Sequence, residues 1–165
     1  MDDSLHIDNL DRKILSYITK NARTAFLEVA RECGVSGAAV HQRIQKLTHL
    51  GVILGSEFIV DPQTLGYHTR AFIGIYLEKA SMNKYVVSEL QKIPEVVECH
   101  YTTGGYSIFI KVITKNNEHL KNILADKLQA IDGITRTETF ISLVENIKRQ
   151  LPIEIFDEVI PKQVE

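Results

Sequence analysis

The chain has 165 residues, 44% hydrophobic and 24% charged, with a formal net charge of −2. That composition predicts a buried core and either one large domain or two small ones. It excludes a globally basic nucleic-acid binder, so a basic footprint has to be local, and no apolar run reaches the roughly eighteen residues of a membrane span.

Asp8 can cap a first helix that carries Leu10, Ile14 and Ile18 on one face, with Asp11 in the first turn where the helix dipole favours an acid. In TAFLEVAREC the residues Phe26, Val29, Ala30 and Cys33 fall on one face of a short second helix, and Gly34 suits a left-handed C-terminal position. Ser36 can cap a third helix, GAAVHQRIQKLTHL, whose apolar stripe is Val40, Ile44 and Leu47 and which Gly51 ends. Two short helices joined by a tight Gly-containing turn are a helix-turn-helix signature.

The outer face of the third helix presents Gly37, Ala38, His41, Gln42, Gln45 and Thr48, with Arg43 and Lys46 on its flanks and no acid between Glu32 and Glu57. Small residues near the helix start, with Ser36 at the cap, allow close approach to a groove floor. Gln42 and Gln45 can pair with adenine edges, and His41 can donate or accept. Arg43 and Lys46 can hold phosphates, which sets register rather than sequence. The competing reading is a three-helix bundle whose polar face is merely solvated. After Gly51, VILGSEFIVDP reads as a hairpin or wing interrupted by Gly55. Asp61-Pro62 marks a boundary.

From residue 68 the pattern changes. Ala71, Ile73, Ile75 and Leu77 alternate as a strand, and Val86, Leu90 and Ile93 mark a helix ending before Pro94. Val97, Cys99 and Tyr101 alternate with Glu98, His100 and Thr102; Ile108, Ile110 and Val112 give another strand. Leu120, Leu124, Leu128 and Ile131 mark a second helix that Asp132-Gly133 ends, and a last strand runs from about Thr135 to Val144. Strand, helix, strand, strand, helix, strand is the ferredoxin-like order. The fold class is therefore α+β, with a winged helix-turn-helix over 1–60, a linker over 61–67, a ferredoxin-like βαββαβ domain over 68–147 and a tail over 148–165. Phe72, Tyr76, Phe109 and Ile113 are too apolar for open water, and a second copy of the chain would cover them.

Gly104 and Gly105, in TTGGYSIFIK, connect the two middle strands. A phosphate cradle needs a helix after the glycines, and a strand follows here, so a hairpin turn is the minimum reading.

IDNLDRKILSYITKNART, VARECGVSGAAVHQRIQKLTHLGVI and VVECHYTTGGYSIFIKV, in that order over residues 7 to 147, resemble the Lrp/AsnC (feast/famine) family. The resemblance implies a transcription regulator with an N-terminal winged helix-turn-helix that binds double-stranded DNA. It also implies a C-terminal domain of the RAM type that binds a small effector, often an amino acid, and homodimers that assemble further, commonly into octamers. The family's effector turn corresponds here to Thr103, Gly104, Gly105, Tyr106 and Ser107, with Glu98, His100, Thr137, Thr139 and Ser142 as polar candidates around it. Two departures stand out. Gly37 replaces the family's proline after the capping serine, and Gly104-Gly105-Tyr106-Ser107 replaces a pattern close to Gly-Asp-x-Asp, so both carboxylates are absent. The pocket then binds an amino acid through backbone carbonyls, Ser107 and Glu98, or binds another metabolite, or is a structural turn.

The main rival from another class is a small enzyme using Glu98 and His100, which share a strand face. No nucleophile with an adjacent base and no metal motif is visible, so the expectation is no catalysis, no cofactor and no metal. The further rival is an assembly module without DNA affinity. Cys33 and Cys99 lie next to apolar positions and are expected as buried free thiols, which points to a reducing cytoplasm.

Overall fold

The computed structural model describes residues 7–155. They divide into two units, one formed by 7–58 with 147–155 and the other by Ile59–Asn146.

In the first unit, α1 (Asn9–Ile18), α2 (Phe26–Cys33) and α3 (Gly37–His49) surround a small core of Ile14, Val29, Ala30 and Val40. Each helix begins and ends for a local reason. Asp8 caps α1 in a capping box with Asp11, and the Ser36 hydroxyl accepts the Ala39 N–H at 3.1 Å to cap α3. Gly34 and Gly51, both at positive φ, close α2 and α3. Phe26, expected on the apolar face of α2, is instead exposed. Residues 147–155 form no helix or strand, and the Glu154 carbonyl accepts from the Arg12 guanidinium at 3.3 Å.

The expected wing is not formed. Among the described residues no strand lies between α3 and Thr69, and Leu54, Phe58, Ile59 and Val60 are exposed. The segment has strand-forming side chains, but a ladder needs a second strand, and none of the described residues pairs with it. Beyond it, DPQTLGY folds as a turn in which the Asp61 carboxylate accepts from Gln63 N–H at 3.2 Å and Thr64 N–H at 3.0 Å.

The second unit is β1 (Thr69–Leu77), α4 (Asn83–Leu90, entered through a single 3-10 turn), β2 (Val96–Tyr101), β3 (Ile108–Thr114), α5 (Asn117–Asn122) and β4 (Ile134–Ser142). The helix of α5 continues with π-type geometry over Ile123–Leu128. The four strands form one antiparallel sheet in the order β2-β3-β1-β4, the ferredoxin-like arrangement. Alternation decides the faces. Ala71, Ile73, Ile75, Ile108, Ile110 and Val112 are buried with Val86, Leu90, Leu120 and Leu128. Phe72, Gly74, Tyr76, Phe109 and Lys111 belong to the opposite face. As an edge strand, β2 is mostly exposed on both sides, so Cys99 is exposed; Cys33, the last residue of α2, is half-buried, so neither is the buried thiol expected.

Candidate functional site

The exposed side of α3 is the first candidate. Ser36, Ala38, His41, Gln42, Gln45 and Lys46 are all exposed, while Val40 and Leu47 anchor the other side in the core. The periodicity that seats the helix thus leaves the expected reading residues on one surface. The His41 ring meets Phe26 of α2, with centroids 6.0 Å apart.

The two flanking cations are both engaged inside the protein. The Arg43 guanidinium donates to the carboxylates of Asp8 and, at 3.0 Å, Asp11. The Lys46 ammonium donates to Asp11 at 3.0 Å. Asp11 is fully buried, and its second oxygen also accepts the Asp8 N–H at 3.3 Å. Partial burial works against ionisation of Asp8, yet the Arg43 guanidinium and the Asp11 N–H together hold its carboxyl below the ordinary range. These partners lie 32 and 35 residues away in sequence, so no local pattern announces them.

The second candidate is the turn from Thr102 to Ser107. The Thr102 N–H donates to the Ser107 carbonyl at 3.0 Å, the Thr102 hydroxyl to the Tyr106 carbonyl at 2.7 Å, and the Ser107 N–H to the Ile75 carbonyl at 2.9 Å. Gly104 takes φ +115°, which a side chain resists. Thr103, Gly104 and Gly105 are exposed.

The remaining effector candidates are not gathered on one strand or one face of the sheet. Glu98 and His100 belong to β2 and Thr137, Thr139 and Ser142 to β4, at opposite edges of the sheet. Three strand spacings of about 4.8 Å separate them, roughly 14 Å. Thr137 and Thr139 also alternate with Glu138 and so point to the helix-covered face, opposite Glu138 and Ser142. Glu98 is paired with Lys111 at 2.7 Å, and His100 Nε2 lies 3.9 Å from its other oxygen.

What the turn does meet is a cluster of which the sequence reading names Tyr106, Tyr76 and Phe109 but not Gly74, Arg136, Glu138 or Phe140. The Tyr106 ring lies across Gly74 and packs against Tyr76, Phe109 and Phe140. Its hydroxyl donates to Glu138 at 2.8 Å; Tyr76 donates to the same carboxylate at 3.2 Å, and Arg136 pairs with it too. The Tyr106 hydrogen bond is the main reason the Glu138 carboxyl titrates below its usual range and the phenol above its own. Among the described residues no group of three or more His, Cys, Asp or Glu could hold a metal ion, and no helix is long and apolar enough to cross a membrane.

Residues 7–48 match the model of the AsnC-type helix-turn-helix domain, and residues 70–152 that of the Lrp/AsnC ligand binding domain. The chain is 45% identical over 146 residues to the regulatory protein AsnC of Haemophilus influenzae, covering 88% of this chain and 97% of that protein. It is 37% identical over 149 residues to the HTH-type transcriptional regulator FL11 of Pyrococcus furiosus, covering 90% of this chain and 97% of the relative. The solved structure of Escherichia coli AsnC superposes with a TM-score of 0.84 at 44% identity, over 88% of this chain and 98% of that one. A transcriptional regulator of Neisseria meningitidis, solved in complex with L-methionine, gives 0.85 at 21% identity over 89% and 97%, a likeness of fold. Both relatives carry the names of regulators.

Proposed function

This chain belongs to the Lrp/AsnC family of transcriptional regulators, and from that premise we propose how its residues divide the regulator's tasks. The helix-turn-helix binds double-stranded DNA, with α3 as the reading helix. One observation carries this: Ala38, His41, Gln42 and Gln45 share an exposed face on a helix whose other face is fixed in the core. Gln42 and Gln45 hydrogen-bond adenine edges, His41 reads a neighbouring base, and the capped start of α3 at Ser36 approaches a phosphate. Two copies of the chain pair, placing their α3 helices in successive major grooves about 34 Å apart. The outer sheet face with Phe72, Phe109 and Phe140 is covered by the second copy, and dimers assemble further, up to the octamer that the family resemblance implies. The protein works in the cytoplasm, where its DNA is.

The effector is an α-amino acid or a closely related metabolite held at a subunit interface beside the 102–107 turn. The L-methionine complexes of the Neisseria regulator and of a feast or famine regulatory protein of M. tuberculosis support this class. With no carboxylate on the turn, main-chain carbonyls at Thr103 to Gly105 and the Ser107 hydroxyl receive the ammonium group. The ligand favours one assembly over another and changes DNA affinity only through its differential affinity for the two.

Anisotropy titration of the full chain against its own promoter duplex, across salt concentrations and with each common amino acid in turn, tests both parts. Affinity should fall linearly with the logarithm of salt. Gln45→Ala should cost about 1–3 kcal/mol on the operator and leave non-specific binding unchanged, and one amino acid should shift the wild-type curve. Absence of salt-dependent binding would sink the DNA reading. Intact operator binding that no amino acid moves would leave a ligand-independent, DNA-organising regulator.

A further inference from the structure

We propose that Asp11, a residue of α1, is a positioning residue of the DNA-reading surface: through Arg43 and Lys46 it sets the rotation of α3 about its own axis, so that Arg43 serves the helix rather than a phosphate. This rests on the reading of α3 given above.

A fully buried carboxylate is unfavourable unless paired and hydrogen-bonded. Asp11 meets that demand with donors that are not from its own helix body: the Arg43 guanidinium at 3.0 Å, the Lys46 ammonium at 3.0 Å and the N–H of the capping residue Asp8 at 3.3 Å. Asp8 then offers a second carboxylate to the same guanidinium nitrogen. Arg43 and Lys46 are three residues apart, hence on one flank of α3, and each directly follows a reading glutamine, Gln42 or Gln45. The flank is therefore held at two points.

The apolar seat alone would not do this. Ile14, Val29, Ala30 and Val40 hold α3 against the core, but hydrophobic contact is non-directional. Hydrogen-bonded ion pairs are directional. A rotation of about 20° moves a side chain carried ~5 Å from the helix axis by ~1.7 Å, more than a bidentate Gln–adenine pair tolerates. The acid on α1 thus bears on base reading without touching DNA.

The test uses the full chain with Asp11→Asn, Arg43→Gln and the double variant, each checked for helix content and melting before use. Operator affinity, non-specific affinity and the salt slope are measured for all. The expected result is a tenfold or greater loss of operator affinity in each single variant, with a reduced ratio of operator to non-specific binding and an unchanged salt slope. The double variant should lose no more than the worse single one, because both changes remove one coupled anchor. A salt slope reduced by about one in Arg43→Gln would make Arg43 a phosphate contact and overturn the proposal. So would wild-type affinity and ratio in either folded single variant. If Asp11→Asn does not fold, Arg43→Gln decides alone: a lost ratio at unchanged slope supports the proposal, and a reduced slope overturns it. Wild-type protein without salt-dependent operator binding would instead sink the DNA reading itself.

Discussion

Tyr106 rests flat on the sheet because Gly74 beneath it has no side chain. A Cβ built on Gly74 would stand 2.4 Å from the Tyr106 ring, inside any real carbon contact. The space that Gly74 leaves open lets Tyr106 reach Glu138. Gly74→Ala should therefore displace the ring, break the 2.8 Å bond to Glu138 and cost about 1–3 kcal/mol by overpacking. Urea unfolding followed by tyrosine fluorescence would check it, and an unchanged midpoint would contradict this packing. Glu138 also marks the limit of what sequence shows about the site. In TRTETF it is one polar residue among several on an edge strand, and its neighbours Thr137 and Thr139 are equally eligible until the pleat assigns them to the other face. The turn itself was legible, because two glycines between strands leave few alternatives.

At the scale of elements, the helices were readable from capping and period together. Ser36, Val40, Ile44, Leu47 and Gly51 delimit α3 without reference to anything distant, and Ala71, Ile73 and Ile75 fix which face of β1 is core. The wing was not readable in the same way: strand-forming residues from Val52 to Val60 predict a conformation, whereas a hairpin requires pairing that lies outside local pattern. The junction of α1 and α3 was equally hidden, since Arg43 looks identical whether it faces phosphate or Asp8. That junction has a pH signature. The Asp8 carboxyl is held below its ordinary value in the folded protein, so its contribution to stability is present above the unfolded aspartate pKa of about 3.9 and is lost as pH falls through the folded value. Asp8→Asn should be less stable than wild type at neutral pH, and the gap in urea midpoint, read by helix ellipticity, should close on acidification below about pH 4. A gap that stays constant from neutral to acidic pH would show that Asp8 acts only as a neutral cap.

For the whole molecule, the proposed pairing of two copies would rest on the outer sheet face. Phe72 and Phe109 stack with centroids 5.9 Å apart and Phe140 stands half-exposed beside them. Buried against a second copy, this patch would stabilise pairing by about 25 cal/mol per Å² of apolar area. Phe140→Glu places a charge in that patch. Sedimentation velocity should show the variant as single subunits where wild type is assembled, with operator affinity falling as the two half-sites become uncoupled. Wild-type assembly in the variant would move the interface elsewhere. The first unit, finally, is made from two separated parts of the chain, 7–58 and 147–155, with the whole sheet unit between them. During synthesis the three helices emerge first and the sheet second. The Glu154 carbonyl that meets Arg12 is translated after both, so the ribosome completes the DNA-binding unit last although it began it first.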